Sequence, residues 1–457
     1  MVSQAQFNGW LLAWVLCVAV ILYGQRRDGN GTGLTISYVL QLWLIHWLGA
    51  AIYAFPWYKA PGRAMALGLE QSTYAIAGFA AGSLGALVLL RRFLPARDMT
   101  TVHRWTLDPW LVRSCLTAGI VTYFVLEPIV SVVPTISALA SASANLLLVA
   151  IAMGSWNSVV SPLRHGSMWL WVGSAATLPF ITIVMKGFLG YGFVSMLTVF
   201  AFIATVYRPR WRLVAASVLV GFLALSLYVT YMRDRREIRA VVWGGEAYAS
   251  RFDAFGRTLT NFELFDVYDY DHLLRIDDRL NQNFFIGRAV EYLEIHPERF
   301  AKGRTIWEAA LSIIPRSFWP EKPMVAGSGD LVNEFTGITF DKDTSIGIGH
   351  ILELYANFGV LGVVLGMALL GALVSAVDRI AAARLYVGDG AGFVAYWLPG
   401  LSLLQVGGSL VEAVSSAGAG IAIGLVVYWY ARSRQRRHQV VESPRGAILQ
   451  PAAPHQP

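Results

Sequence analysis

From Met1 to Met232, and again from about Ile351 to Tyr430, apolar residues run in helix-length blocks separated by short polar or glycine-containing breaks. A helix needs ~20 apolar residues to cross ~30 Å of hydrocarbon. By that length the pattern predicts about eleven spans: Trp10–Tyr23, Ile36–Phe55, Thr73–Leu90, Leu111–Val133, Ile136–Met153, Met168–Met185, Phe188–Val206, Leu213–Tyr231, Ile351–Val377, Ala391–Leu410 and Val411–Tyr430. The breaks at Pro134, Gly187 and Leu410 are short enough to make helical hairpins. Residues 233–350 differ in character. These 118 positions hold nineteen of the chain's 29 Asp and Glu and fifteen of its 36 Lys and Arg. Within them, Glu246–Phe265 and Asn281–Glu294 space apolar residues three and four apart, as amphipathic helices do. A further helix, Ile306–Ile314, must stop at Pro315.

The pattern therefore divides the chain into an N-terminal bundle of about eight spans over 1–232, a helical loop over 233–350, about three closing spans over 351–431, and a basic tail over 432–457. The expected fold is an all-α polytopic membrane protein with one large external loop. Composition agrees: 56% of residues are hydrophobic and 14% charged, which would make a water-facing surface prone to aggregate. The 43 glycines suit close helix packing in lipid. Cys17 and Cys115 both fall inside spans and read as small apolar fillers rather than a disulfide framework. No basic stretch precedes the first apolar block, so no cleavable signal peptide is expected.

Charge adds sidedness. Loops that face the cytoplasm carry excess Lys and Arg, and the tail Arg432–His438 reads RSRQRRH. Alternating crossings back from it puts the loops at 378–390, 207–212, 161–167, 91–108 and 24–33 on the same side, and all but the first are net positive. The expectation is a membrane protein with its N-terminus out, its C-terminus in and 233–350 outside, which in a bacterium is the periplasm or the cell exterior. The basic residues follow the membrane, so no nucleic-acid partner is expected.

The same topology brings Glu127, Lys186, Glu353 and Glu412 to the outer membrane edge. Charges there mark functional sites or hairpin turns that reach water. His350 stands where the loop meets the ninth span, and reads either as an interfacial histidine bonded to backbone or as a general base. Glu353 follows one helical turn later, on the same face, as an ion-pair partner or a second base. Arg316, between Pro315 and a bulky apolar run, reads as a phosphate-binding fork or as a residue snorkelling to lipid headgroups. Lys322 offers a weaker version of the same choice. Arg304 reads as a surface ion pair or a substrate contact, and Trp319 as an interfacial anchor or a platform for a sugar face. His46, inside the second span, reads as a satisfied bundle residue. Asp341-x-Asp343 and Asp269-x-Asp271 are the metal-binding candidates; neither sits near a nucleotide motif, so no metal or cofactor is expected.

Two stretches, GRTIWEAALSIIPRSFWPEKP from Gly303 and DTSIGIGHILELYANFGVLGVVLG from Asp343, resemble bacterial O-antigen and exopolysaccharide repeat-unit polymerases (Wzy-type). The resemblance rests most on Pro315-Arg316, Trp319-Pro320, Lys322-Pro323 and Glu353-x-Tyr355-x-Asn357-Phe358-Gly359-x-x-Gly362, and covers roughly Gly303 to Gly362; the rest matches in topology alone. It implies a glycosyltransferase-C-like architecture and, as substrate, an oligosaccharide repeat on polyprenyl pyrophosphate. A growing glycan would pass from its lipid pyrophosphate to the terminal sugar of the next unit, with a chain-length regulator and a flippase as further implied partners. With that substrate, catalysis would rest on His350 and Glu353 and binding on Arg316, Lys322, Arg304 and Trp319, with Glu127 and Lys186, which lie outside the resembling motifs, added by the topology. The related O-antigen ligases usually carry His-Asn at the start of the corresponding span; here His350 is followed by Ile351. A ligase, a transporter for the same lipid-linked sugars and a non-enzymatic assembly subunit are the competing functions.

Overall fold

The computed structural model describes residues 3–93, 105–130, 134–161, 167–207, 211–314, 319, 327–340 and 346–442. Among them the chain is helical throughout, with no strand. The helices are α1 (Gln4–Asp28), α2 (Leu34–Ala54), α3 (Arg63–Leu90), α4 (Pro109–Val130), α5 (Ile136–Val160), α6 (Met168–Lys186), α7 (Leu189–Tyr207) and α8 (Trp211–Trp243). The charged segment adds α9 (Tyr248–Thr260), α10 (Tyr270–Arg279), α11 (Asn283–Ile295), α12 (Arg304–Ser312) and α13 (Ser328–Thr336). Then come α14 (His350–Tyr386), α15 (Gly390–Ser402) and α16 (Leu410–Glu442). Nine helices among the described residues are long and apolar enough to cross a membrane. Rows of exposed apolar side chains, such as Leu12, Leu16 and Val20 on α1 and Leu365 and Leu369 on α14, fit a lipid-facing surface.

Three expected spans take a different form. The eighth, Leu213–Tyr231, lies in α8, which continues as helix through Arg233–Arg239 to Trp243. The tenth, Ala391–Leu410, is a helix only to Ser402; residues 403–409 are non-helical, so Leu410 starts α16 rather than forming a tight hairpin. The ninth is not one straight rod. Phe358 (φ −142°, ψ 23°) and Gly359 (φ 60°, ψ −148°) leave helical geometry inside α14. Only glycine reaches the second of these without strain. The α6–α7 hairpin does turn tightly at Gly187, whose φ of 72° lets its N–H and that of Phe188 cap the Ile183 and Thr182 carbonyls.

Helix α3 is the spine. Its Gly78 and Gly82 lie directly against the backbone of Val364 and Ala368 on α14, and Gly371 of α14 lies against Phe79. Small residues let two backbones approach this closely, which maximises packing where no hydrophobic drive separates helix from lipid. At the other end of α3, Gly68 meets the Asn283 backbone, and Gly287 of α11 meets that of Ala64. The charged segment is therefore docked on the bundle through the same helix. It is also plugged into α2. A single wide π turn at Trp43–Trp47 lets Ile45 and His46 offer carbonyls to the Gln282 amide (2.8 Å) and the Asn283 carboxamide (2.7 Å). His46 Nδ1 faces Asn283 Oδ1 at 3.3 Å, the satisfied bundle histidine anticipated from its position.

At the end of α14 far from its break, Arg379 donates to both carboxylate oxygens of Asp28 (2.7 and 2.8 Å), and both side chains are buried. The adjacent Asp378 accepts from the Thr32 amide and hydroxyl (2.6 Å each) and the Thr35 amide (3.1 Å), capping α2 from another helix. Removing one partner of a buried pair costs about 3–5 kcal/mol in soluble proteins, and less here because Arg91 also reaches Asp28, at 3.3 Å. Arg379→Met is expected to lower the thermal midpoint followed by tryptophan fluorescence, and Asp28→Asn with Arg379→Met to recover most of the loss. An Arg379→Met protein as stable as its parent would show that the pair contributes nothing.

Candidate functional site

The break in α14 creates the site. Gly362 and Gly366 lie against the Leu354 carbonyl and side chain, so the first two turns, 350–357, fold back along the helix that follows. They sink into protein rather than ending a span at open water. His350, Glu353 and Asn357 are all buried, at 1%, 0% and 1% exposure.

Each is held from a different element. The amides of Gly349 and His350 donate to Gly407 and Val406 (3.1 Å each), carbonyls left free because residues 403–409 are not helical. His350 Nδ1 meets the Tyr38 hydroxyl of α2 at 2.8 Å, and the Tyr38 ring stacks on Phe79 of α3 at 4.6 Å. Glu353 Oε2 accepts the Leu410 amide at 2.7 Å, at the first turn of α16, where helix polarity favours an anion. Asn357 ties the two resembling motifs together. Its carbonyl accepts the Gly303 amide (2.9 Å), and its amide donates to the Thr305 hydroxyl (2.7 Å) and the Glu353 carbonyl (2.8 Å).

Two atoms here lack a well-aligned partner. His350 Nε2 and Glu353 Oε1 are buried without a hydrogen bond of ordinary geometry, the Thr305 hydroxyl being the one donor near enough to act on the carboxylate. His350 Nε2 and Glu353 Oε1 are not bonded to each other, although the two residues lie three apart on one short helix. Burying an unsatisfied polar atom costs about 1–3 kcal/mol, so two such atoms three residues apart on one helix call for a functional explanation.

The remaining sequence candidates are distributed. Lys186 pairs with Glu127 at 2.7 Å and lies over the Tyr123 ring at 5.0 Å; Ser141 also donates to Glu127, whose Oε2 is buried and unpaired. A π turn at Thr122–Leu126 delivers Glu127 to that position. Arg304 is engaged by Glu334 (2.6 Å) and Glu308 (3.5 Å), the ion-pair alternative. Trp319 is partly buried. Arg316 and Lys322 lie outside the described residues, as do Asp341 and Asp343. Glu412 closes a capping box with Ser409 at the start of α16, each side chain accepting the other's amide (3.0 and 3.2 Å). Asp269 likewise caps α10. Among the described residues no His/Cys/Asp/Glu group has a metal-binding arrangement.

A cation cluster escaped sequence reading. Arg235 and Arg239 lie one turn apart on α8, with Arg279 of α10 close enough that its charge acts on both. The Arg239 guanidinium is fixed over the Phe188 ring (4.2 Å) and beside Trp243 (4.9 Å), with Nε on the Gly187 carbonyl (3.3 Å). None of the three makes an ion pair among the described residues, unlike Arg233 and Arg275, which share Glu263. Partial burial, then the charges of Arg279 and Arg239, pull the Arg235 pKa down to about 10. Three arginines held together without a carboxylate make an anion-binding surface.

Residues 71–397 match a protein family described as Domain of unknown function (DUF8712), and the chain belongs to that family. The matched region starts inside α3 and ends inside α15, so it contains the folded-back helix and the arginine cluster. No curated protein and no solved structure matches the chain.

Asn357→Ala would free the Gly303 amide and the Thr305 hydroxyl together. At about 1–3 kcal/mol for such a loss, amide exchange at Gly303–Thr305 should speed up roughly 5- to 150-fold with global stability less affected. Unchanged protection there would remove Asn357 from its joining role.

Proposed function

We propose that this protein polymerises polyprenyl-pyrophosphate-linked oligosaccharide repeats into surface polysaccharide at the outer face of a bacterial inner membrane. The observation that carries the reading is the pair of unpartnered buried atoms, His350 Nε2 and Glu353 Oε1, on a helix folded back within the stretch that resembles repeat-unit polymerases. In this reading the acceptor sugar hydroxyl gives its proton to one of these atoms, and its oxygen bonds to the anomeric carbon of the growing chain. The bond from that carbon to pyrophosphate breaks, and polyprenyl pyrophosphate leaves with the electron pair. A pyrophosphate leaving group needs charge stabilisation more than a proton. Arg235, Arg239 and Arg279 supply unpaired charge, and Arg316 remains a fourth candidate. The proposed sidedness is N-terminus out, C-terminus in, with 233–350 periplasmic, in a glycosyltransferase-C-like architecture.

A specific observation favours a second reading. The break at Phe358–Gly359 makes α14 discontinuous, a feature of transporters. The competitor is a flippase for the same lipid-linked sugars, and the location of substrate in a deletion strain separates the two. Loss of a polymerase leaves single lipid-linked repeats outside, loss of a flippase leaves them inside, and loss of a ligase leaves long chains on lipid.

Single repeats on the outer face are the expected result, and repeats trapped inside would overturn the polymerase. In vesicles with purified lipid-linked repeats, His350→Ala and Glu353→Gln are each expected to lower the rate per folded enzyme by about 10²–10⁴-fold, the contribution of one general base. The double variant should be little worse than the poorer single. Arg239→Lys keeps charge but loses the fork and should also yield short chains. Near-normal rates in both His350→Ala and Glu353→Gln would leave the base elsewhere, Glu127 being next. For sidedness, Asp271→Cys should react with an impermeant thiol reagent in whole cells, and Ser433→Cys only after lysis.

A further inference from the structure

The surface formed by the α2–α3 loop and the approach to α10 carries rings in an order the proposed chemistry does not use. Phe55 stacks on Trp57 (5.0 Å, 8° between planes), Trp57 meets Tyr268 at a tilt (4.7 Å, 33°) and Tyr270 meets Tyr58 likewise (5.4 Å, 36°), with Tyr53 edge-on to Tyr58 at 5.3 Å. Trp57, Tyr268 and Tyr270 are 45%, 72% and 50% exposed, while Phe55 is half-buried and Tyr53 and Tyr58 are buried behind them. Trp57 Nε1 is anchored on the Val267 carbonyl (2.9 Å), and the Tyr53 and Tyr58 hydroxyls both donate to Asp277 (2.7 and 2.9 Å).

Carboxylates alternate with the rings. Asp266, Asp269 and Asp271 flank Tyr268 and Tyr270 in sequence, all exposed, and Asp278 follows Asp277. Lys59, the cation set against Tyr53 and Tyr58, is held by Asp277 at 2.7 Å. The strip ends at an open concavity bounded by Tyr53, Lys59, Arg63, Phe284, Arg288 and Ile338.

An aromatic belt made for an anionic membrane surface is accompanied by free Lys and Arg. Here Lys59, Arg63 and Arg288 are all held by carboxylates, and Asp266, Asp271 and Asp278 stand beside the rings without a cation among the described residues. Rigid rings present flat apolar faces at little entropic cost, and ionised carboxylates accept strong hydrogen bonds from hydroxyls. That pairing matches a chain of sugars, whose C–H faces stack and whose hydroxyls donate, and it repels phosphate and acidic sugars. We infer that the exposed rings Trp57, Tyr268 and Tyr270, backed by Phe55 and Tyr58, form a docking track for a glycan chain of predominantly neutral sugars. Resting on the polymerase reading, this gives the growing product a place to lie outside the bond-forming site.

The test uses the full-length protein in phosphatidylcholine nanodiscs. The probe is the delipidated glycan released by mild acid from the host's own polymer, titrated against tryptophan emission. Trp57→Ala and Tyr268→Ala should each weaken binding about 2- to 10-fold, in line with the worth of an aromatic contact. The double variant should shift the product to shorter chains while the joining of the first two repeats keeps its rate. If wild type extends glycans and the double variant binds and extends them equally well, the track is wrong and the polymerase stands. Trp57 emission quenched by brominated phosphatidylcholine and insensitive to glycan would make the strip a membrane belt, again overturning the track. A wild type that neither binds nor extends glycan overturns both.

Discussion

Gly349 and His350 give their amide protons to Gly407 and Val406, and the candidate site depends on that exchange. Inside an apolar bundle a main-chain polar group must find its partner within the protein. The chain interrupts its helices at Phe358–Gly359 and at 403–409, and each interruption exposes backbone groups. The segment leading into the folded-back helix meets the loop after α15, and their groups satisfy one another. The pairing holds His350 against Tyr38 and brings Glu353 to the first amide of α16. If either interruption were continuous helix, the other would be left with unsatisfied carbonyls or amides.

Polar groups occupy the two ends of α14 differently. At the Asp378–Arg379 end every carboxylate is spoken for: Asp28 by Arg379 and Arg91, and Asp378 by three donors from the start of α2. Such satisfaction specifies one arrangement of α1, α2 and α14. At the His350 end two atoms are left over. Helix α2 links the ends, since Asp378 caps its first turn and Tyr38, just beyond, holds His350. A saturated network at one end thus fixes the position of an unsaturated one at the other, the arrangement expected where rigidity and reactivity are divided.

The charged segment is bound to the bundle by glycine contacts with α3 and by Asn281–Asn283 in the π turn of α2. Its helices form a wall around the folded-back turns, with Gly303 and Thr305 reaching Asn357. Family membership over residues 71–397 carries no stated activity with it. The protein's local chemistry comprises two unpartnered buried polar atoms within the resembling motifs and, on α8 and α10, three arginines without an ion pair among the described residues.

The sequence by itself determined the helical class, the helix-length apolar blocks and the tight turn at Gly187, because these follow from periodicity and length within a short window. It also singled out His350, Glu353, Glu127 and Lys186, since each is a titratable group at the edge of an apolar run. Their partners were decided only by tertiary structure. Asp28 and Arg379 are 351 residues apart, Tyr38 and His350 are 312, and no local pattern marks Tyr38 as anything but a ring inside a span. Arg235, Arg239 and Arg279 look like ordinary surface charge until α8 and α10 pack and no carboxylate arrives. The break at Phe358–Gly359 was equally hidden, because Asn-Phe-Gly within an apolar run is compatible with a straight helix. It folds back because Gly362 and Gly366 let Leu354 approach and the 406–407 carbonyls accept the amides that the bend brings to them. Local composition sets what each segment can form; which polar atoms end up satisfied is a property of the assembled bundle, where water is not present to complete the remainder.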